Sequence, residues 1–277
     1  TKRVLRLQQS VVLTAHYNTV VTAMIRFLTA SKRTPMSSYN EFSKYYDILT
    51  QNVDYKVRSD YISGFFKTFG IYGGKMLDLA CGSGSFSVEF AKMGYNVVGV
   101  DLSEDMLTIA QEKAFENGVD ISFIKSDMRS YCDAERFDSA VCCLDSINHL
   151  TNKNDVQTTF KNAYKSLKHG GAFVFDVNTV YKHQSVLADK TFVFDEDDFY
   201  LVWDNEAIDD REIRLLIDIF VFNGTNYDRF SEEFCERAYD TDELIKMLKT
   251  AGFVDISVYD ELTHDKEKEN SERLYFV

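Results

Sequence analysis

The chain has 277 residues, 45% hydrophobic and 27% charged, the balance of a globular protein with a substantial buried core. Its formal net charge of −13 produces a field that repels polyanions. A nucleic-acid partner would need a local basic stripe, and the main body of the sequence has none. The five cysteines, Cys81, Cys132, Cys142, Cys143 and Cys235, are odd in number and two are adjacent, which reads as reduced thiol in a cytoplasmic setting. The histidines form no ligand spacing with one another or with cysteine, so no metal is expected.

Residues 1–35 differ from the rest: they hold no acidic residue but carry Lys2, Arg3, Arg6, Arg26, Lys32 and Arg33. His16, Tyr17 and Asn18 interrupt any apolar run that could serve as a signal peptide or membrane span. A transit peptide fits the composition. The plainer expectation is a non-native or disordered basic extension before a natural start at Met36.

From Ser37 to Phe69 the pattern is helical and rich in aromatic residues. Lys75–Ala80 is a buried strand ending in Gly82-Ser83-Gly84, and a helix over Ser85–Met93 follows it. Asn96–Val100 is a second strand closed by Asp101, and Ser103 caps a helix running to about Asn117. Ile121–Lys125, Ser139–Leu144 and Ala172–Val177 are further strands, with a helix over Val156–Leu167 between the last two. Alternating strands and helices imply a parallel sheet covered on both faces. Thr191–Phe194, Tyr200–Trp203, Ile213–Phe222 and Tyr227–Glu236 read as a small antiparallel sheet, with Asn223-Gly224 as a two-residue hairpin turn. A capped helix over Thr241–Thr250 follows, then strands Val254–Tyr259 and Arg273–Val277, too close in sequence to be anything but antiparallel. The expected fold is therefore α/β: a seven-stranded, Rossmann-like, mostly parallel sheet with an antiparallel last strand, formed by residues 36–180 and 238–277. Residues 181–237 form an inserted antiparallel β cap.

In open α/β sheets ligands bind at the carboxyl ends of the strands. There the sequence gathers Asp78, Gly82 and Gly84 after the first strand, Asp101 after the second, and Asp127 with Met128 after the third. A carboxylate at Asp101 can accept from both ribose hydroxyls, and one at Asp127 can accept from an adenine amino group. Singly each is an ordinary loop residue; together they make a nucleoside pocket. Ser87 stands where a dinucleotide fingerprint needs its third glycine, so a pyrophosphate-bridged dinucleotide is disfavoured.

The segments LDLACGSG, GVDLSEDML, KSDMRSY and LKHGG resemble those of class I S-adenosylmethionine-dependent methyltransferases. FSKYYDIL, FDSAVCCLDSINHL, FDVNTVYK and YDRFSEEFCERAYDTDEL extend the resemblance to a bacterial family of small-molecule methyltransferases with an inserted cap. The resemblance implies S-adenosylmethionine as cofactor. Asp78, Ala80, Gly82 and Gly84 would surround its methionine part, Asp101 would hold the ribose, and Leu102, Met106, Asp127 and Met128 would form the adenine pocket. Cys143 and Leu144 would border the reactive centre, and Tyr46 would close over the sulfonium and steer the methyl group.

For the acceptor, the candidates after the fourth strand are Asp145, Asn148 and His149, with His149 and Asp145 as possible catalytic groups. Asn178 and Tyr181 follow the fifth strand, and Trp203, Arg229, Arg237 and Tyr239 could reach in from the cap. Strand alternation puts Arg229 and Arg237 on one face, where they could bind an acceptor anion or simply pair with surface acids. The expected function is methyl transfer to a small molecule, with no nucleic-acid or membrane partner. A non-catalytic S-adenosylmethionine-binding regulator, or an enzyme acting on protein or RNA, is the alternative.

Overall fold

The computed structural model describes residues 46, 47, 50, 52–197 and 199–277. The basic extension, and the aromatic residues before Tyr46, lie outside the described residues.

Helix α1 (Tyr55–Thr68) begins at Asp54, whose carboxylate accepts from the Val57 amide, and buries Ile62, Phe65 and Phe66. Strand β1 (Gly74–Leu79) follows, then α2 (Ser85–Lys92), β2 (Tyr95–Asp101) and α3 (Glu104–Glu116). The Ser103 hydroxyl accepts from the Met106 amide at 3.2 Å, as a helix cap should. Then come β3 (Ser122–Lys125), β4 (Phe137–Cys142), a 3₁₀ turn over Ser146–His149, α4 (Lys153–Ser166) and β5 (Leu167–Asn178). After a π-helical turn (Lys182–Leu187) the chain builds β6 (Thr191–Asp195), β7 (Phe199–Ala207), β8 (Glu212–Phe222) and β9 (Tyr227–Arg237). It ends in α5 (Thr241–Ala251), β10 (Val258–Asp260) and β11 (Arg273–Phe276).

The main sheet has the order β10-β11-β5-β4-β1-β2-β3. β1, β2, β3, β4 and β5 run parallel, whereas β11 is antiparallel to both β5 and β10. Leu77 and Leu79 of β1 pack on one face with Phe160 and Leu244, while Met76 packs on the other with Phe66 and Phe90. Burial on both faces explains why β1 from Met76 onward reads as an apolar run broken only by Asp78. The second sheet, β6-β7-β8-β9, is antiparallel throughout. Its inner face carries Phe199, Leu201, Ile217 and Ile219, packed with Met106 and partly buried Tyr46, Trp203 and Phe234.

Several local expectations shift. β4 ends at Cys142, so Cys143 and Leu144 leave the sheet. β5 starts at Leu167 because that residue pairs with Phe137 before the register shifts. The β8–β9 connection spans four residues, since Phe222 pairs with Tyr227 and Asn223 Oδ1 accepts from the amides of Thr225 and Asn226. The N-cap of α5 is Asp240 rather than Thr241, and its carboxylate binds Arg211 at 2.6 Å instead of capping the helix.

Candidate active site

The carboxyl ends of β1, β2, β4 and β5 converge with the inner face of the second sheet. At the end of β1 the backbone turns through Ala80 (φ 56°), Gly82 (φ 52°) and Gly84 (φ 76°). Gly84 opens α2 in the left-handed region, and a β-carbon there would stand 2.7 Å from Cβ of Ala110 on α3. A β-carbon at Gly82 would meet no atom within 4 Å, so that position faces open space beside the turn. Asp101 ties this turn to the next: its Oδ2 accepts from the Gly82 amide at 2.8 Å and its Oδ1 from the Ser103 amide at 2.9 Å. Burial raises the Asp101 carboxyl above its usual range, against three backbone amides that lower it. Asp78 is 1% exposed and accepts from the Ser87 hydroxyl at 2.5 Å; burial pushes its carboxyl up to about 7.

Asp127 follows β3, held near the same edge by a bond from the Ser126 amide to the Asp101 carbonyl at 2.9 Å. Its carboxylate is gripped by Arg129, with Nε 3.0 Å from each oxygen, and this pair keeps its carboxyl below the ordinary range. An adenine amino group would therefore share an acceptor already in use. Met128 packs against the core beneath, Met106 is buried under the second sheet, and Leu102 is 62% exposed at the rim.

The end of β4 is the most constrained part. Leu144 and Asp145 both have φ 51°, a region that costs a non-glycine residue about 1–3 kcal/mol unless its surroundings impose it. Here Asp176, on β5, accepts from the Leu144 amide at 2.8 Å and from the Asp145 amide at 3.1 Å. Arg273 on β11 binds both Asp176 and Asp145, the latter at 2.6 Å. Burial opposes ionisation of Asp145, but Arg273, with Lys182 and His149, outweighs it and holds the carboxyl below its usual value. Asp145 thus anchors the bend through Arg273. Cys143 beside it is buried, which raises its thiol and keeps it neutral.

Tyr46 packs against the cluster formed by Met106 of α3 with Phe199, Leu201, Ile217 and Ile219 of the second sheet. Burial drives its hydroxyl well above its ordinary range, reinforced by Tyr55, Asp145 and Asp101. The segment is fastened by Thr50, whose hydroxyl donates to the Tyr46 carbonyl at 3.0 Å and accepts from the Tyr55 hydroxyl at 2.8 Å. Asp47 accepts from the Ser83 hydroxyl at 2.6 Å, and Lys113 Nζ joins Asp47, Ser83 and Ser85.

Asn148 and Asn178 are buried and bond each other: Asn178 N–H donates to Asn148 Oδ1 and Asn148 Nδ2 to the Asn178 carbonyl, each at 3.0 Å. That pairing makes them a splice between the 3₁₀ turn and β5. His149 is half-exposed, with its ring 5.1 Å from that of Phe234. Trp203 is on the inner face, its Nε1 donating to Asn205 at 3.0 Å, and Tyr181 is 37% exposed beside the π turn.

Three cap candidates are not brought to the site. Arg229 and Arg237 do share a face of β9, but it is the outer one, opposite Phe234 and Glu236. Arg229 binds Asp218 at 2.8 and 2.9 Å, and Arg237 lies 3.6 Å from Glu212. Tyr239 is buried in the main core with its hydroxyl on the Leu150 carbonyl. The reason is register: Glu236 pairs with Ile213 and Phe234 with Leu215, both inward, so odd-numbered β9 residues face out. The sequence reading missed Glu236, His183, Arg273, Asp176, Asp47 and Lys113. Only Arg273, an unpaired-looking cation in an apolar strand, gave a local signal.

A glycine turn and an acid closing β2 at the carboxyl edge of a parallel sheet define a nucleoside-binding type of α/β fold. Residues 76–171 match the model of a methyltransferase domain. YqeM of Bacillus subtilis (strain 168), a protein carrying a methyltransferase name, is 37% identical over 241 residues, covering 86% of this chain and 95% of its own. A crystal structure of an S-adenosylmethionine-dependent methyltransferase from Clostridium acetobutylicum ATCC 824 is 32% identical, with a TM-score of 0.77 over 86% of this chain and 97% of that one. A ubiquinone biosynthesis O-methyltransferase of Shewanella pealeana is 35% identical over 88 residues, 31% of this chain and 37% of its own. The chain belongs to the class I S-adenosylmethionine-dependent methyltransferases, and S-adenosylmethionine is its cofactor.

Proposed function

We propose that this methyltransferase acts on a small-molecule acceptor held between the carboxyl edge of the main sheet and the inner face of the second. The observation that carries this reading is the roof: Phe199, Leu201, Ile217 and Ile219 of the second sheet lie against Met106 and Tyr46. A macromolecular substrate would need that edge open, and the net charge of −13 weighs against RNA. Residues 181–237 are the cap of this reading, and 36–180 with 238–277 its core. Five free cysteines accord with a reducing, cytoplasmic setting.

Asp78, Ala80, Gly82 and Gly84 are assigned to the methionine part of the cofactor and Asp101 to the ribose. Leu102, Met106, Asp127 and Met128 are assigned to the adenine, with Cys143, Leu144 and Tyr46 beside the sulfonium. Bound S-adenosylmethionine supplies an electrophilic methyl carbon on a positively charged sulfur. The protein's part is then alignment and exclusion of water, an effect worth roughly 7–11 kcal/mol at best. Tyr46, kept protonated by burial, walls the hollow without competing as a nucleophile. Asn178, Tyr181 and Trp203 are assigned to the acceptor side; the Asn148 side chain is not, since it is buried and spent on the backbone of Asn178 and Arg237.

Titration calorimetry tests the reading. S-adenosylmethionine and S-adenosylhomocysteine should bind wild type at micromolar strength or better. Asp101→Ala should weaken both at least tenfold, because it removes the hydroxyl acceptor and frees the glycine turn. Absence of binding to wild type would defeat the assignment.

A further inference from the structure

Asp145, His149 and Glu236 come together from the end of β4, the 3₁₀ turn and β9: one carboxylate or imidazole atom of each lies within 4.8 Å of the others. Nothing in the cofactor assignment uses Glu236. It is 3% exposed on the inner face of the cap, and its Oε2 has no hydrogen-bond partner among the described residues. Oε1 lies 3.7 Å from His149 Nε2, and Oε2 3.6 Å from His183 Nε2, both beyond hydrogen-bond reach. A carboxylate so buried costs several kcal/mol unless a cation or donor completes it. The cluster adjoins the assigned cofactor site, since Asp145 directly follows Leu144 in the bend after β4.

We propose that the methyl acceptor is an amine, and that Asp145, His149 and Glu236 form the subsite for its nitrogen. This rests on the methyltransferase reading above and adds the class of acceptor atom. N–H···acceptor bonds of about 2.9 Å allow acceptors around one nitrogen to stand up to roughly 4.7 Å apart, and the three atoms lie within 4.8 Å of one another. A divalent ion would draw the same atoms to about 2.0–2.2 Å from itself. It would also press two positive charges against Arg273, 2.6 Å from Asp145, and against Lys182. An amine escapes that conflict because it can shed its charge. The ammonium hands one proton to His149 Nε2, where Glu236 receives the resulting imidazolium. The freed nitrogen lone pair forms the new N–CH₃ bond as the S–CH₃ bonding pair returns to sulfur, so positive charge passes from sulfur to nitrogen.

The test compares two cofactor analogues by calorimetry on the full chain: S-adenosylhomocysteine, which lacks the methyl, and sinefungin, which carries an amine in its place. Wild type should bind sinefungin at least tenfold more tightly. Glu236→Gln should bring the ratio of the two dissociation constants to within about threefold of one while leaving S-adenosylhomocysteine binding intact. His149→Phe, at a half-exposed position, should shrink the ratio likewise. A wild-type ratio near one, or a ratio that neither variant alters, overturns the amine subsite while S-adenosylhomocysteine binding keeps the methyltransferase reading standing. Binding of one equivalent of Mn²⁺ or Zn²⁺ that is lost in Glu236→Gln would overturn it in favour of a metal site. Failure of both analogues to bind wild type would overturn both readings.

Discussion

Lys113 Nζ stands 2.7 Å from a carboxylate oxygen of Asp47, joining α3 to the segment that carries Tyr46. The same amine lies 3.0 Å from the Ser83 hydroxyl and 2.6 Å from that of Ser85, so the pair fastens Tyr46 over the glycine turn. Both side chains keep some solvent contact, which limits the net stability of such a pair to about 0–1 kcal/mol. Its effect should appear in binding. Lys113→Met is expected to leave the melting temperature within a few degrees of wild type. It should weaken S-adenosylmethionine by roughly three- to tenfold in calorimetry and hasten protease cleavage before Tyr55. Unchanged cleavage and affinity would show that Tyr46 is held by packing alone.

Gly84→Ala sets two costs together. The left-handed conformation costs a β-carbon about 1–2 kcal/mol, and contact at 2.7 Å with fully buried Ala110 adds overpacking of about 1–3 kcal/mol. Denaturant unfolding should show a loss of about 2–5 kcal/mol. Adding Ala110→Gly should return the overpacking part and leave the conformational part. A single variant as stable as wild type would mean that α2 and α3 separate easily.

The Asp78 carboxyl has an acid–base signature of defined sign. Its folded value is raised by burial from 3.8 to about 7, so between those values the folded chain holds a proton that the unfolded chain has lost. Stability from this group is full below pH 3.8 and declines as pH rises towards 7. Melting temperature measured from pH 5 to 8 should therefore fall more steeply in wild type than in Asp78→Asn, which keeps an acceptor for Ser87. Parallel curves would place the Asp78 titration elsewhere.

Arg273 holds Asp145 and Asp176 together in the interior, and removing it strands two buried carboxylates. Arg273→Ala should destabilise the fold by about 3–5 kcal/mol in urea unfolding. It should also abolish the left-handed bend at Leu144 and Asp145, and with it methyl transfer. A loss under 1 kcal/mol would mean that water or Lys182 can replace the guanidinium.

The order of strands and helices was legible because burial writes itself locally: two-sided strands are apolar runs, and caps and glycines mark helix ends. Asp78, Gly82, Gly84 and Asp101 were legible for a related reason, since each sits within two or three residues of a strand end and the topology alone brings those ends to one edge. The resemblance to a known family supplied the cofactor. What the sequence by itself could not determine was orientation across the second sheet. Arg229 and Arg237 were placed correctly on a common face, but which face turns inward depends on the pairing of β9 with β8 and on what the sheet then covers; a register one residue different would have exchanged them with Glu236. The bond that Arg273 brings to Asp145 from 128 residues away was likewise not legible. Charges that compensate one another across such distances leave no local pattern, because their energy depends on separation in space and on shared burial, and only the folded chain fixes both.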